Sequence, residues 1–410
     1  MGKCLKDCAC TLPGGVLGLA ILGARSKRQI SEAQLSRWRL VEEFEERLER
    51  AAAVGKEPHT FSDPRRTLGQ KDYLSLLLFG LFNPVVDSMR GLCAASRLQR
   101  VQQEICSAEV SLGSFSEAQA VVDPALLQRV FAELAAERQS QNFQHNDQRL
   151  EPYRGQLLVI DGTLWRALPR MAWALWRYQH GKESALKLHL KFNLLDEKPV
   201  GALLANARSC ERALLRRQLV AGEFYVGDRY YGEDYALFSE LERAGCSYLL
   251  RLRQEARFEV IEQWPLSAAD QAASVIFDGL VRLGVGKSRQ QELVRLVRVQ
   301  SERGELLLVS NKAREELSAE LLALIYRSRW RVELFFKWLK CILGCRHWLA
   351  ESQRGVALQV YCALIAALLL LRHNGRRPGK RAMEMIRFYL LGYATLDELS
   401  AALKLAQKSA

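Results

Sequence analysis

The stretch from Tyr326 to Lys340, Y-R-S-R-W-R-V-E-L-F-F-K-W-L-K, sets the tightest condition on any fold this chain can adopt. Read as a helix turning about 100° per residue, it puts Tyr326, Arg329, Glu333 and Lys340 at about 0°, 300°, 340° and 320°, on one face. Lys337, at about 20°, joins them, whereas Arg327 and Arg331 point elsewhere. Most of the remaining circumference is Val332, Leu334, Phe335, Phe336, Trp338 and Leu339. Such a helix has to be buried on most sides, and its polar stripe has to line a cleft or find partners, because buried unpaired charge is costly. A common i,i+4 salt bridge accounts for Glu333 with one cation. It does not account for Tyr, Arg, Glu and Lys converging on one edge of an apolar helix.

The spacing, Tyr, two residues, Arg, three residues, Glu, six residues, Lys, resembles the Tyr-Arg-Glu-Lys motif of a family of bacterial insertion-sequence transposases of the DDE type. The resemblance implies that Glu333 is the third of three catalytic carboxylates. It also implies that Tyr326, Arg329 and Lys340 hold a DNA terminus by its phosphates, with Lys337 on the same stripe. Two aspartates are then required upstream, each at the end of a strand.

The hydrophobic period changes at Gln156. Gln156 to Ile160 is a short buried-strand run ending in Asp161-Gly-Thr, and Lys187 to Leu194 alternates as a half-buried strand does. Pro199 to Ala207 gives a further strand, Arg212 to Ala221 a helix, and Phe224 to Gly227 a strand leading into Asp228. A helix through Ala244 and a strand at Ser247 to Leu252 complete the series. The fold class expected is α/β: an RNase-H-like mixed five-stranded sheet with flanking helices, interrupted by a β-rich insertion and preceded by an N-terminal helical domain. Asp161 and Asp228 fall at the strand ends where that fold keeps its carboxylates. Taken singly, either is more often a turn or cap residue; together with Glu333 they form the oxygen donor set that hard divalent cations prefer. Two Mg²⁺ ions, with Mn²⁺ able to substitute, are the cofactors implied, suited to stabilising the attacking and leaving oxygens of a phosphodiester together.

More chain separates Asp228 from Glu333 than a bare fold of this type needs. Ala256 to Asn311 reads as the insertion, with strand-like runs at Ala273 to Leu283, Glu292 to Val299 and Glu305 to Ser310. Arg282, Arg295, Arg298 and Arg303 give it either a cationic face for DNA phosphates or solvated strand faces. Some relatives stack an unpaired base on an aromatic of the insertion while forming a DNA hairpin; here Trp264 and Phe277 are the aromatics available. Ser318 is the expected cap of a central helix running to Leu343 and stopping at Gly344.

The domains expected are a terminus at 1–25 without regular structure, a helical DNA-binding domain at 26–150, and the first catalytic part at 151–254. The insertion follows at 255–312, the second catalytic part with the Glu helix at 313–375, and a helical tail at 376–410. In the helical domain, Ser114 to Glu117 offers a capping box, and Asp123-Pro124 opens a helix through Ala136. Lys and Arg outnumber Asp and Glu by 59 to 46, a net charge of +13 that suits a polyanion such as double-stranded DNA. The 10 cysteines lack paired zinc spacing and read as reduced, mostly core residues; Cys4, Cys8 and Cys10, or Cys341, Cys345 and His347, are the weak metal candidates. Gly355 to Leu371 carries no charge, yet holds Gln359 and reads as a buried core helix rather than a membrane span. Arg372 to Arg381 is a basic turn that either grips flanking DNA or is solvated.

These readings converge on a cytoplasmic DNA transposase, dimeric on DNA and without membrane contact. It would cleave transposon ends and transfer the freed strand to target DNA. The alternatives are a metal-dependent, structure-specific DNA nuclease of the same fold and a DNA-binding relative that has lost catalysis.

Overall fold

Leu157 and Val159 turn to one apolar cluster while Leu158 and Ile160 turn to another. A strand apolar on both faces belongs in the middle of a covered sheet, and that is where it lies. The computed structural model describes residues 39–54, 68–83, 86, 88–137, 147–166, 171, 175–178, 181–206, 209–284, 286, 290–302, 304–345, 348–391, 393–395 and 397–402. The segment 1–25 with its three cysteines, Arg303, His347 and most of the polar stretch after Glu137 lie outside these residues.

Strand β1 (Leu157–Arg166) pairs antiparallel with β3 (Gly181–Asn193) and parallel with β5 (Phe224–Gly227). β4 (Lys198–Asn206) adds antiparallel to β3, and β6 (Ser247–Arg251) adds parallel to β5. The order β4-β3-β1-β5-β6, with only β1, β5 and β6 mutually parallel, is the RNase-H-like arrangement. A short strand, β2 (Leu175–Tyr178), pairs with the far end of β3.

The insertion is continuous with this sheet. β7 (Phe258–Gln263), β8 (Val275–Leu283), β9 (Leu293–Ser301) and β10 (Gly304–Ser310) form an antiparallel meander, and β10 pairs back onto β6 to complete a 10-stranded sheet. β7 escaped the sequence reading because Glu259, Glu262 and Gln263 give it an exposed, polar outer edge. Of the arginines that offer either a cationic face or solvated strand faces, the three described ones, Arg282, Arg295 and Arg298, are paired with carboxylates. Arg298 holds Glu305 at 2.6 Å and Arg282 lies 3.5 Å from Glu259. Arg295, 3% exposed, forks onto Asp278 at 2.8 and 2.9 Å and donates to the Leu317 carbonyl at 2.6 Å, so it is a core residue. Removing one partner of such a pair strands the other charge. Asp278→Ala is expected to cost about 3–5 kcal/mol, read as a lower denaturant midpoint; a variant as stable as the parent would contradict this.

Helices α1 (Arg39–Val54), α2 (Gln70–Phe82), α3 (Met89–Ala95), α4 (Gln99–Glu104), α5 (Leu112–Val121) and α6 (Pro124–Ala136) precede the sheet. α6 starts as expected, with Asp123 accepting from the Ala125 amide and Pro124 first in the helix. α5 starts a turn earlier than the Ser114 cap implied, because Ser111 takes the Ser114 amide. α7 (Glu211–Arg216), α8 (Arg229–Gly232) and α9 (Tyr235–Arg243) fall between β4 and β6, and α10 (Ala268–Ala272) lies in the insertion. After it come α11 (Ala319–Ser328), α12 (Arg331–Cys341), α13 (Gln353–Asn374) and α14 (Lys380–Leu390). α13 packs against α2 and α6; it is the one helix among the described residues long and apolar enough to cross a membrane, and 89% of its apolar window is buried inside the protein. In the basic turn that follows, Arg377 is packed over the Phe192 and Phe335 rings and bound to Glu197 at 3.1 Å, which makes it internal.

Candidate active site

The central helix is two helices. α11 ends and α12 begins at Arg329 and Trp330, where the Arg329 amide bonds the Tyr326 carbonyl at 3.1 Å and the Val332 amide bonds the Arg329 carbonyl at 3.2 Å. These three-residue spacings tighten the chain without a proline or glycine to announce it. Ser318 stands at the N-cap of α11, but its side chain makes no cap bond; Asp270 of the insertion accepts from the Glu320 amide at 2.9 Å instead.

The break redistributes the polar stripe. Tyr326 is only 7% exposed, and its hydroxyl lies beside the Arg251 guanidinium at the end of β6. Arg329 spans two carboxylates, 3.4 Å from Asp161 Oδ2 and 2.5 Å from Glu333 Oε1. Lys340 donates to the Thr163 hydroxyl at 2.6 Å and the Leu164 carbonyl at 2.7 Å, with the Trp165 ring beneath it. Burial lowers the basicity of its amine. Lys337 and Glu333 are exposed, and between Arg329 and Glu333 the Trp330 side chain is 54% exposed.

Asp161 is not at the end of its strand. β1 runs on to Arg166 along β3, but its parallel pairing with β5 stops at Val159 opposite Val226. The open end between these strands is where Asp161 faces α12, on the same side as Leu157 and Val159. Asp228 follows β5 directly and caps α8, accepting from the Tyr230 amide at 3.0 Å. Asp161 and Asp228 thus flank the place where the backbone ladder ends.

The electrostatics follow from burial. Desolvation pushes the Asp161 carboxyl up to about 7, with the Asp228 and Glu333 carboxylates adding to the rise against Arg329 and the Gly162 amide. Burial works against the Arg329 charge, but Tyr326, Asp161 and Glu333 outweigh it and hold the guanidinium above its ordinary value. Three oxygen donors and an under-compensated buried carboxyl suit a hard divalent cation. As the side chains stand, Arg329 takes the position between Asp161 and Glu333, and among the described residues no three of His, Cys, Asp and Glu are gathered closely enough to hold a metal ion.

A pH signature follows. In the unfolded chain Asp161 loses its proton near pH 4, and in the folded chain near pH 7. Between those values the folded state binds more protons, so its stability falls as pH rises and stays reduced above about 7. Asp161→Asn, in chelator, is therefore expected to stabilise the protein above pH 7 and to leave it nearly unchanged near pH 4. Thermal unfolding at both values checks this, and an equal effect at the two would contradict it.

Of the insertion aromatics, Phe277 is 5% exposed and unavailable for stacking. Trp264 is half-buried, with Arg295 and Arg314 against its ring and its indole N–H donating to Glu262 at 2.7 Å. Two residues at the site were not anticipated. Arg251 carried the signal of a charge at a strand end, and Trp330 that of an aromatic bordering the polar stripe.

Residues 152–369 match the family model described as a transposase DDE domain. A transposase of Sinorhizobium fredii named y4zB is 25% identical over 238 residues, spanning 57% of this chain and 65% of that protein. A Geobacillus stearothermophilus protein named as a transposase for insertion sequence element IS5377 is 26% identical over 231 residues, 52% of this chain and 55% of its own length. A Synechocystis protein named as a transposase for element IS4SA is 33% identical over 93 residues, 22% of this chain and 27% of its own. The chain therefore spans less than two thirds of each of these relatives. Among solved structures, a piggyBac transposase from a synaptic complex with hairpin DNA aligns with a TM-score of 0.40 at 10% identity, covering 89% of this chain and 82% of that one.

Proposed function

Because the chain belongs to the family of transposases with a DDE domain, we propose that it is the transposase of a bacterial insertion sequence, cutting DNA at the ends of its element and joining the freed 3′ hydroxyl to target DNA. The spacing of Tyr326, Arg329, Glu333 and Lys340 supports a place in the Tyr-Arg-Glu-Lys group. The observation that carries the reading is the approach of Asp161, Asp228 and Glu333, from three distant parts of the sequence, to the open end of the β1–β5 pairing. All three lie inside the matched domain.

Asp161, Asp228 and Glu333 would hold two Mg²⁺ ions, or Mn²⁺ in their place. Such ions, when bound, stabilise the attacking and leaving oxygens of a phosphodiester. Asp161 has to be ionised for this role, and burial in the metal-free protein opposes that ionisation. Arg329, once freed from its two carboxylates, is placed to contact a DNA phosphate by a forked pair of hydrogen bonds. Lys337, exposed one turn beyond Glu333, adds attraction for the backbone, and Tyr326 and Lys340 shape the floor of the cleft. The net charge of +13 favours DNA as partner. Two element ends held together imply a dimer on DNA, acting in the cytoplasm; residues 26–150 are assigned to end binding.

A strand-transfer reaction with the element's own ends and a supercoiled plasmid tests the proposal. Joined product is expected with Mg²⁺ or Mn²⁺. Hydrolysis without any joined product would make the chain a nuclease and contradict it.

A further inference from the structure

Backbone pairing does not set the gap between Asp161 and Asp228, since the β1–β5 ladder ends at Val159 and Val226. Something else must keep the two strand ends from splaying. The face of the sheet away from Glu333 supplies it. Gly162, next to Asp161, points to that face, and a Cβ there would lie 2.9 Å from the carboxyl carbon and both oxygens of Glu211. The Glu211 carboxyl group therefore rests against the backbone that carries Asp161, in space only a glycine leaves open.

The same carboxyl group reaches the other strand. Tyr231 donates its hydroxyl to Glu211 Oε2 at 3.2 Å. Tyr231 belongs to α8, the turn that Asp228 caps, and its ring packs on Gly227, where a Cβ would come within 3.0 Å of Tyr231 Cδ2. Each aspartate thus has a glycine beside it, and each glycine admits one half of the Glu211–Tyr231 pair. Lys187 fixes the carboxylate from β3 at 3.1 Å, and His189 lies 3.9 Å away with burial holding its imidazole neutral, down to about 4. Glu211 has no part in the cleft chemistry described above.

We propose that Glu211 is a positioning residue that braces Asp161 against Asp228 from behind the sheet, through Gly162 on one side and Tyr231 on the other. Its functional sense rests on the transposase reading; the brace itself is a property of the fold. Glu211→Gln keeps the size of the side chain and removes its charge, and Tyr231→Phe removes only the hydroxyl.

Hydrogen exchange on the full chain, without metal or DNA, reads the brace directly. Peptides covering 157–163 and 224–232 should both exchange several-fold faster in each variant. The double variant should be no faster than the singles, as expected for two groups acting as one unit, and β9 and β10 should be unchanged. In end cleavage, the Mn²⁺ concentration for half-maximal rate should rise by about tenfold, the scale on which outer partners of metal-holding groups act, with the rate at saturating Mn²⁺ largely kept. Faster exchange confined to α7, or an unshifted Mn²⁺ requirement, would reduce Glu211 to a local anchor and overturn the proposal. If both peptides loosen but the parent protein neither cuts nor joins DNA, the brace stands and the transposase reading falls.

Discussion

Asp228→Asn is expected to abolish end cleavage while DNA binding stays within about twofold of the parent. The asparagine keeps the oxygen that accepts from the Tyr230 amide, so α8 retains its cap and the fold is undisturbed. What it loses is the negative charge beside Asp161, and a neutral amide is a poor donor to a hard divalent cation. Loss of one such group from a site that acts as a unit lowers the rate on the order of a thousandfold or more. Single-turnover cleavage together with a gel-shift titration separates the two effects. Unchanged cleavage would remove Asp228 from the site; joint loss of cleavage and binding would make it a structural residue.

The second large effect is expected at Arg329. Its guanidinium is the counter-charge that Asp161 and Glu333 share, at 3.4 and 2.5 Å. Arg329→Ala leaves a buried carboxyl with two others nearby, a change on the scale of about 3–5 kcal/mol when a buried partner is removed. The Asp161 carboxyl should then hold its proton above pH 7, so cleavage at neutral pH should fall by on the order of a hundredfold or more. Part of that loss should return as pH is raised toward 9. Arg329→Lys should behave like the alanine variant rather than the parent, since one ammonium cannot fork onto two acids. A pH–rate profile for the three proteins decides it: a uniform loss at every pH would assign Arg329 to phosphate contact alone.

Much of this arrangement is legible in the sequence, and the reasons differ by residue. Glu333 and Arg329 could be paired because a four-residue spacing on a helix brings side chains together whether or not the preceding turn is regular. Asp228 could be placed because Phe224 to Gly227 is short, fully buried and followed at once by the cap it needs. The resemblance implies that Tyr326 and Lys340 hold DNA, and an ideal 100° advance carries both onto the face of Glu333. The break at Arg329 and Trp330 uses no helix breaker, so sequence gave no warning that Tyr326 turns inward to Arg251. Lys340 is drawn to Thr163 and Leu164 by a strand that outruns its apolar run, because β1 continues beyond Asp161 through polar and aromatic residues paired only with β3.

Burial decided the insertion in the same way. Arg295 and Asp278 lie 17 residues apart in sequence, on neighbouring strands, and nothing local distinguishes a buried ion pair from a solvated arginine. Glu211 was invisible for a related reason: its partners Gly162, Lys187 and Tyr231 sit on three other elements, and only the fold brings them to one place.

The central claim is that Asp161, Asp228 and Glu333 form one cation-holding site. Crystals of the protein soaked in Mn²⁺ with a pre-cut element end test it through anomalous scattering. The account predicts manganese held by Asp161 and Asp228 through their carboxylate oxygens, with Glu333 turned toward it and Arg329 withdrawn to the DNA. Manganese bound elsewhere, with Arg329 still clasping Asp161 and Glu333, would contradict it.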